Sequence, residues 1–166
     1  VTSLAVEKYG AEIQERQAKA RAAAAVAALR DRLQARLGAA LAEGGPAGAI
    51  EVCAAEAQAM SAELRATHGG GDPGFVLGRT ALRWRNPANA PGPYEEEWMR
   101  LTGAHTTGAA PYEPVGKVEE FLDGRRLLHY WQPIYVQPAC LSCHGAPAEI
   151  APEVREVLAQ RYPGDQ

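Results

Sequence analysis

The pattern of apolar and polar positions opens in a helical rhythm. From residue 4 to about 42, Ala, Glu, Gln, Arg and Leu dominate and proline is absent, which predicts one long helix. Leu29, Leu33, Leu37 and Leu41 recur every four residues after Val26, while Arg30, Asp31, Arg32, Gln34 and Arg36 face elsewhere. This is the pattern of an amphipathic surface helix. Its stripe suits core packing or a signalling or dimerisation contact. Glu43-Gly44-Gly45-Pro46 breaks the rhythm. A second helix is expected from about 47 to 67, with Ile50, Cys53, Ala54, Ala57 and Met60 at helical spacing and Cys53 facing inward.

The middle of the chain changes period. Gly69-Gly70-Gly71-Asp72-Pro73-Gly74 reads as a loop, 75–84 as a strand, and 85–93 as a structured loop rich in proline and asparagine. Residues 95–101 suit a short helix whose first turn is acidic, as the helix dipole favours. The clearest hairpin signal is 115–122, then Asp123-Gly124, then 125–136. Pro133 cannot donate to a ladder, so it marks an edge or a bulge. A last helix is expected over 152–161, and no internal repeat is visible. Helices, then antiparallel strands, then a loop and a helix predict an α+β fold.

Composition narrows the function classes. The 166 residues carry a formal charge of −3, with a pI of about 5.8. A nucleic-acid binder would normally present a basic face, so nucleic acid is not an expected partner. No run of about 20 apolar residues is present, so no transmembrane segment is expected. The chain starts at Val1 with no signal-peptide pattern, which fits a processed N-terminus or a boundary after an anchor.

Chemistry concentrates at Cys140-Leu141-Ser142-Cys143-His144. Two cysteines two residues apart can both add across the vinyl groups of one haem, and the adjacent histidine is then held beneath the iron as an axial ligand. This predicts one covalent haem c. A zinc site would need two further ligands, and a thioredoxin-like pair would need a βαβ context that the chain lacks. With two cysteines assigned, Cys53 is the one thiol left among three. Candidates for the opposite face of the iron are Cys53, Met60, Met99, His68, His105 and His129. Each has a plainer role: helix core for the methionines, a helix end for His68, a polar loop for His105, a strand face for His129, and a buried small residue for Cys53. Cys53 is a candidate on ligand softness and inward position.

Arg79-Thr80-Ala81-Leu82-Arg83-Trp84-Arg85-Asn86-Pro87-Ala88-Asn89 resembles the signature of a family of extracytoplasmic haem domains, long described as a domain of unknown function. These occur as small cytochromes and as sensor domains of histidine kinases and chemotaxis receptors. The likeness continues at Pro91, Glu95 and Trp98, at Pro133-Ile134-Tyr135-Val136, through the haem motif to Gly145, and at Tyr162-Pro163-Gly164-Asp165; it also takes in the helix around Cys53. The resemblance implies a PAS-like antiparallel sheet flanked by helices, with residues 1–43 as a long N-terminal helix and 44–166 as the haem domain. It also implies His/Cys ligation, by His144 and Cys53. Ala81 stands where the family usually has serine. Relatives usually continue past the equivalent of Gln166 into a further strand.

A thiolate ligand stabilises ferric iron, so a low reduction potential is expected. Arg79, Arg83, Arg85, Asn86 and Asn89 supply donors that suit haem propionates, although the asparagines also suit turn shaping. The expected function is redox sensing or electron transfer, in the periplasm or otherwise outside the cytoplasm. Alternatives are a gas sensor in which Cys53 is displaced from the iron, or a haem subunit of a larger electron-transfer complex. The expected partner is a redox protein or a signalling output domain, with a dimer through the N-terminal helix as a further contact. No catalytic motif supports an enzyme.

Overall fold

The structure is a computed structural model that describes residues 2–102 and 113–164. Its first element, α1 (Thr2–Glu51), includes the bend that Gly45-Pro46 predicts: Gly45 leaves helical geometry at φ 63° and ψ −170°. The chain then reverses through the last residues of α1, one π-helical turn (Val52–Glu56) and α2 (Ala57–Gly69). Ion pairs record the antiparallel register. Arg36 meets Glu56 at 2.7 Å, Arg32 meets Glu63 at 2.6 Å, and Arg21 approaches Asp72 at 4.0 Å. Such partly exposed pairs contribute about 0–1 kcal/mol each, so they set register more than they stabilise. Burial does the larger share. Leu37 and Leu41 pack on Ala40, Ala49 and Val52, and Leu29 is buried. The leucine stripe thus packs at least partly against its own chain.

After α2 the chain is irregular as far as α3 (Pro93–Thr102), apart from one 3-10 turn at Pro87–Asn89. The expected strand over 75–84 is not present. No ladder partner exists for it among the described residues. Its polar side chains are spent instead on other segments: Arg79 donates to the carbonyl of Cys53 and Thr80 to that of Asn89. The loop expected over 85–93 is observed, with the Asn86 side chain accepting from the Ala88 amide at 3.0 Å.

The hairpin forms as its turn predicts. β1 (Val115–Glu120) pairs antiparallel with β2 (Arg126–Trp131), from Val115 opposite Trp131 to Glu120 opposite Arg126. β2 stops at Trp131, short of the expected 136, because Pro133 cannot donate to a ladder. Among the described residues the sheet has these two strands. Aromatic stacking fastens it to α3: Trp98 lies 4.7 Å from Trp131 and Tyr94 lies 4.1 Å from His129, between ring centroids. Its other anchor is α1, where Arg126 reaches Glu15 at 3.0 Å and the Lys19 stem covers Gly116.

A 3-10 turn (Pro138–Cys140) leads into α4 (Leu141–His144), and α5 (Pro152–Arg161) is the last helix, where the sequence places it. Ile150, Val154 and Leu158 bury against Ile50 of α1. The architecture is α+β. No helix among the described residues is long and apolar enough to cross a membrane.

Gly45 has open space around its missing side chain, but its φ and ψ are accessible in practice only to glycine. Gly45→Ala should therefore destabilise the fold by about 1–3 kcal/mol. The expected readout is a lower urea midpoint with an unchanged slope.

Candidate functional site

The three cysteines come from two distant parts of the chain. Cys53 lies in the π turn, Cys140 closes the 3-10 turn before α4, and Cys143 lies within α4; all three are free thiols and partly buried. Cys143 packs on the cluster of Ile50, Ile150, Val154 and Leu158, and its thiol points at the Pro46 carbonyl at 3.9 Å. Burial pushes the Cys143 thiol above its ordinary range. Cys53 adds to the rise, Arg85 opposes it, and Cys140 adds a smaller rise. Cys53 and Cys143, 90 positions apart in sequence, therefore lie within electrostatic reach of one another.

The haem motif is compact because α4 is a single turn. It carries Cys143 and ends at the exposed His144. Gly145 closes it, its amide donating to the Leu141 carbonyl at 2.9 Å. A Cβ at Gly145 would stand 2.6 Å from that same oxygen, so the close approach requires glycine.

One loop grips both sides of the site. Arg79 Nη2 donates to the Cys53 carbonyl at 3.3 Å and Asn86 Nδ2 to the Ala54 carbonyl at 3.1 Å. From the same loop, Arg85 Nη1 donates to the Cys143 carbonyl at 3.0 Å. Gln58 of α2 donates to Asn89 Oδ1 at 2.6 Å and ties down the far end of the loop. Arg83 is exposed. Arg79, Arg85 and Asn86 were expected near haem propionates; they hold backbone carbonyls of the two cysteine segments. A guanidinium has five N–H donors, and Arg79 places one of them on the Cys53 carbonyl.

The other candidates for an axial ligand lie elsewhere. Met60 and Met99 are buried in helices. His68 sits in the last turn of α2. His129 stacks on Tyr94 and meets Glu119 at 3.1 Å. His105 lies outside the described residues.

Two features were not assigned from sequence. Tyr162 follows α5, its amide donating to the Leu158 carbonyl at 2.8 Å, and its side chain packs on the same cluster as Cys143. Burial raises its phenol, Arg161 opposes that, and Cys53 raises it further, with Arg85 and Arg79 opposing. It thus joins the neighbourhood of Cys53. The second feature is apolar surface. Ile134, Tyr135, Val136 and Leu141 are 65%, 48%, 61% and 50% exposed, beside and inside the motif. The run between Pro133 and Pro138 was the available signal for it.

The donor set can be tested against a haem. Among the described residues no three or more His, Cys, Asp or Glu side chains are arranged to hold a bare metal ion. A haem iron needs only one protein ligand from each face, since the porphyrin supplies four. Paired free thiols next to a histidine, a third thiol nearby, and exposed apolar side chains suited to a flat apolar ring fit that group.

The Tll0287-like family matches residues 7–166, and the chain belongs to that family. No curated protein and no solved structure gives a significant match.

In the haem-free chain, alkylation of Cys143 should follow a pH profile displaced upward from that of the same thiol in unfolded chain. The raised thiol has less thiolate at any given pH. The same linkage removes stability as pH rises through the folded value. Peptide-resolved iodoacetamide labelling across the alkaline range measures the displacement; coincident profiles would contradict it.

Proposed function

We infer that this chain is a single-haem c-type redox domain that senses redox state or carries electrons outside the cytoplasm. Cys140 and Cys143 would form the thioethers, His144 would ligate one face of the iron and Cys53 the other. What supports the reading is the Cys-x-x-Cys-His segment itself, together with the packing of Cys143 on the cluster that includes Ile50, which lies just before the turn that carries Cys53. Bound there, the group supplies one-electron exchange.

The chain's own residues supply the rest. Cys140 and Cys143 anchor the porphyrin edge, and the short α4 keeps His144 next to the second anchor. Ile134, Tyr135, Val136 and Leu141 offer apolar surface that would exclude water. Cys53, as thiolate, is an electron-rich soft ligand that favours the ferric state and a low potential. Arg85 keeps a positive charge near this sulfur-rich region. On this reading the hairpin belongs to a PAS-like sheet, and the long α1 serves as the contact to an output domain, a redox partner or a second copy. The grip of Arg126 on Glu15 supports the sensing role, because it links β2, which leads into the haem motif, to that helix.

Expression with a c-type haem maturation system tests the reading. The purified chain should retain haem after denaturation, with a pyridine haemochrome spectrum of two thioethers. Replacing Cys140 and Cys143 together by serine should abolish retention. Cys53→Ala should keep the covalent haem yet change the ferric absorption and electron paramagnetic resonance spectra. Cys53→Met should raise the reduction potential by a sizeable part of the roughly 0.8 V that axial ligation spans. No covalent haem in the parent chain would overturn the proposal. Wild-type spectra in Cys53→Ala would remove Cys53 from the iron.

A further inference from the structure

The turn that carries Cys53 has an unusual backbone. At Val52–Glu56 the helix widens to the π register, and the Ala57 amide donates to the Val52 carbonyl five residues back. One extra residue in a turn is unfavourable without compensation, and such turns are frequent at functional sites. Here compensation comes from outside the helix. The carbonyls of Cys53 and Ala54, inside the π turn, receive Arg79 and Asn86 at 3.3 and 3.1 Å. The next donor in the same loop, Arg85, holds the Cys143 carbonyl at 3.0 Å.

We propose that Arg79 and Asn86 are positioning residues that hold the π turn open and so aim Cys53 at the Cys140–His144 segment, while Arg85 ties that segment to the same loop. This rests on the haem reading above, in which Cys53 and His144 ligate opposite faces. The physical case is one of register. If the π turn relaxed to an α turn, residues on one side would rotate by about 100° relative to the other, the angle per residue of an α-helix. Cys53 would then lose its aim while the helix stayed intact. Each hydrogen bond contributes little net to folding, but two of them on adjacent carbonyls are enough to choose between two registers of one turn. Asn86 is itself fixed, since its Oδ1 accepts from the Ala88 amide while its Nδ2 donates to Ala54. Gln58 on Asn89 keeps the loop against α2. The arrangement links the two ligand segments through side chains that need not touch the iron.

The test uses the full haem-loaded chain and the variants Asn86→Leu, Arg79→Met and Arg79→Lys. Haem content, thermal unfolding, ferric electron paramagnetic resonance and reduction potential are measured on each, with Cys53→Ala as the reference for a lost ligand. Asn86→Leu and Arg79→Met should keep the covalent haem, since the thioethers lie elsewhere. Their ferric signal should shift to that of Cys53→Ala and their potential should move upward towards it. Arg79→Lys keeps a cationic donor and should recover part of the wild-type signal. Lower thermal stability with a wild-type ferric spectrum and potential would make these side chains structural only and overturn the proposal. Should Asn86→Leu fail to fold, the Arg79 pair decides by the same spectra. If Cys53→Ala itself leaves the spectrum unchanged, the haem ligation is wrong and this proposal falls with it; a changed Cys53→Ala beside unchanged Arg79 and Asn86 variants overturns the positioning role alone.

Discussion

The neighbourhood of the three cysteines depends on apolar contact between Ile50 and the cluster of Ile150, Val154 and Leu158. It is the principal contact joining the region near the bend to the end of the chain. Closing a loop of some hundred residues costs several kcal/mol of chain entropy and grows only slowly with length. Burying an aliphatic side chain returns about 1.5–3 kcal/mol, so a few such residues suffice to offset closure. Hydrogen bonds from Arg79, Arg85 and Asn86 are individually smaller. Burial therefore brings the segments together, and directional bonds decide how they meet.

The bend at Gly45-Pro46 makes this contact possible. An unbroken α1 would carry residue 53 away from the region that Arg36 and Glu56 share. The reversal instead lays α2 along the earlier part of α1. The core formed this way is thin: Val52 and Val154 are the largest side chains almost wholly removed from water among the described residues. Much of the remaining cohesion lies in flat contacts, such as the near-parallel Trp98 and Trp131 rings at 7°, which join α3 to the hairpin.

What could be read from sequence was whatever rests on local chemistry. The helical composition before residue 43, the breaker at Gly45-Pro46, the Asp123-Gly124 turn and the proline opening the last helix are short-range signals, and each element formed close to where they lie. The stretch 75–84 misled because an extended, apolar-looking run also needs an edge to pair with. Its arginine found a carbonyl on a helix instead. The π turn was hidden for the opposite reason: Val-Cys-Ala-Ala-Glu is ordinary helical sequence, and the external donors that meet its carbonyls lie more than 25 positions away. At the site, helical spacing predicted an inward-facing Cys53; it is half-buried, between the buried Val52 and Ala54. The targets of Arg79, Arg85 and Asn86 were not legible, because a side chain's type gives its capacity to donate and not the address of its acceptor.

The π turn has a consequence for how the chain can vary. A continuous α-helix fixes the phase between its two ends, so a change that improves packing on one face constrains every face after it. Val52–Glu56 breaks that phase relation. Upstream, Ile50 answers to α5; downstream, Met60 and Ala57 answer to their own surroundings. The two halves can be tuned separately, with Cys53 placed at the joint between them. Loss of one residue from this turn would restore an unbroken helix and couple the halves again, so the turn is a place where the length of the chain, and not only its composition, is constrained.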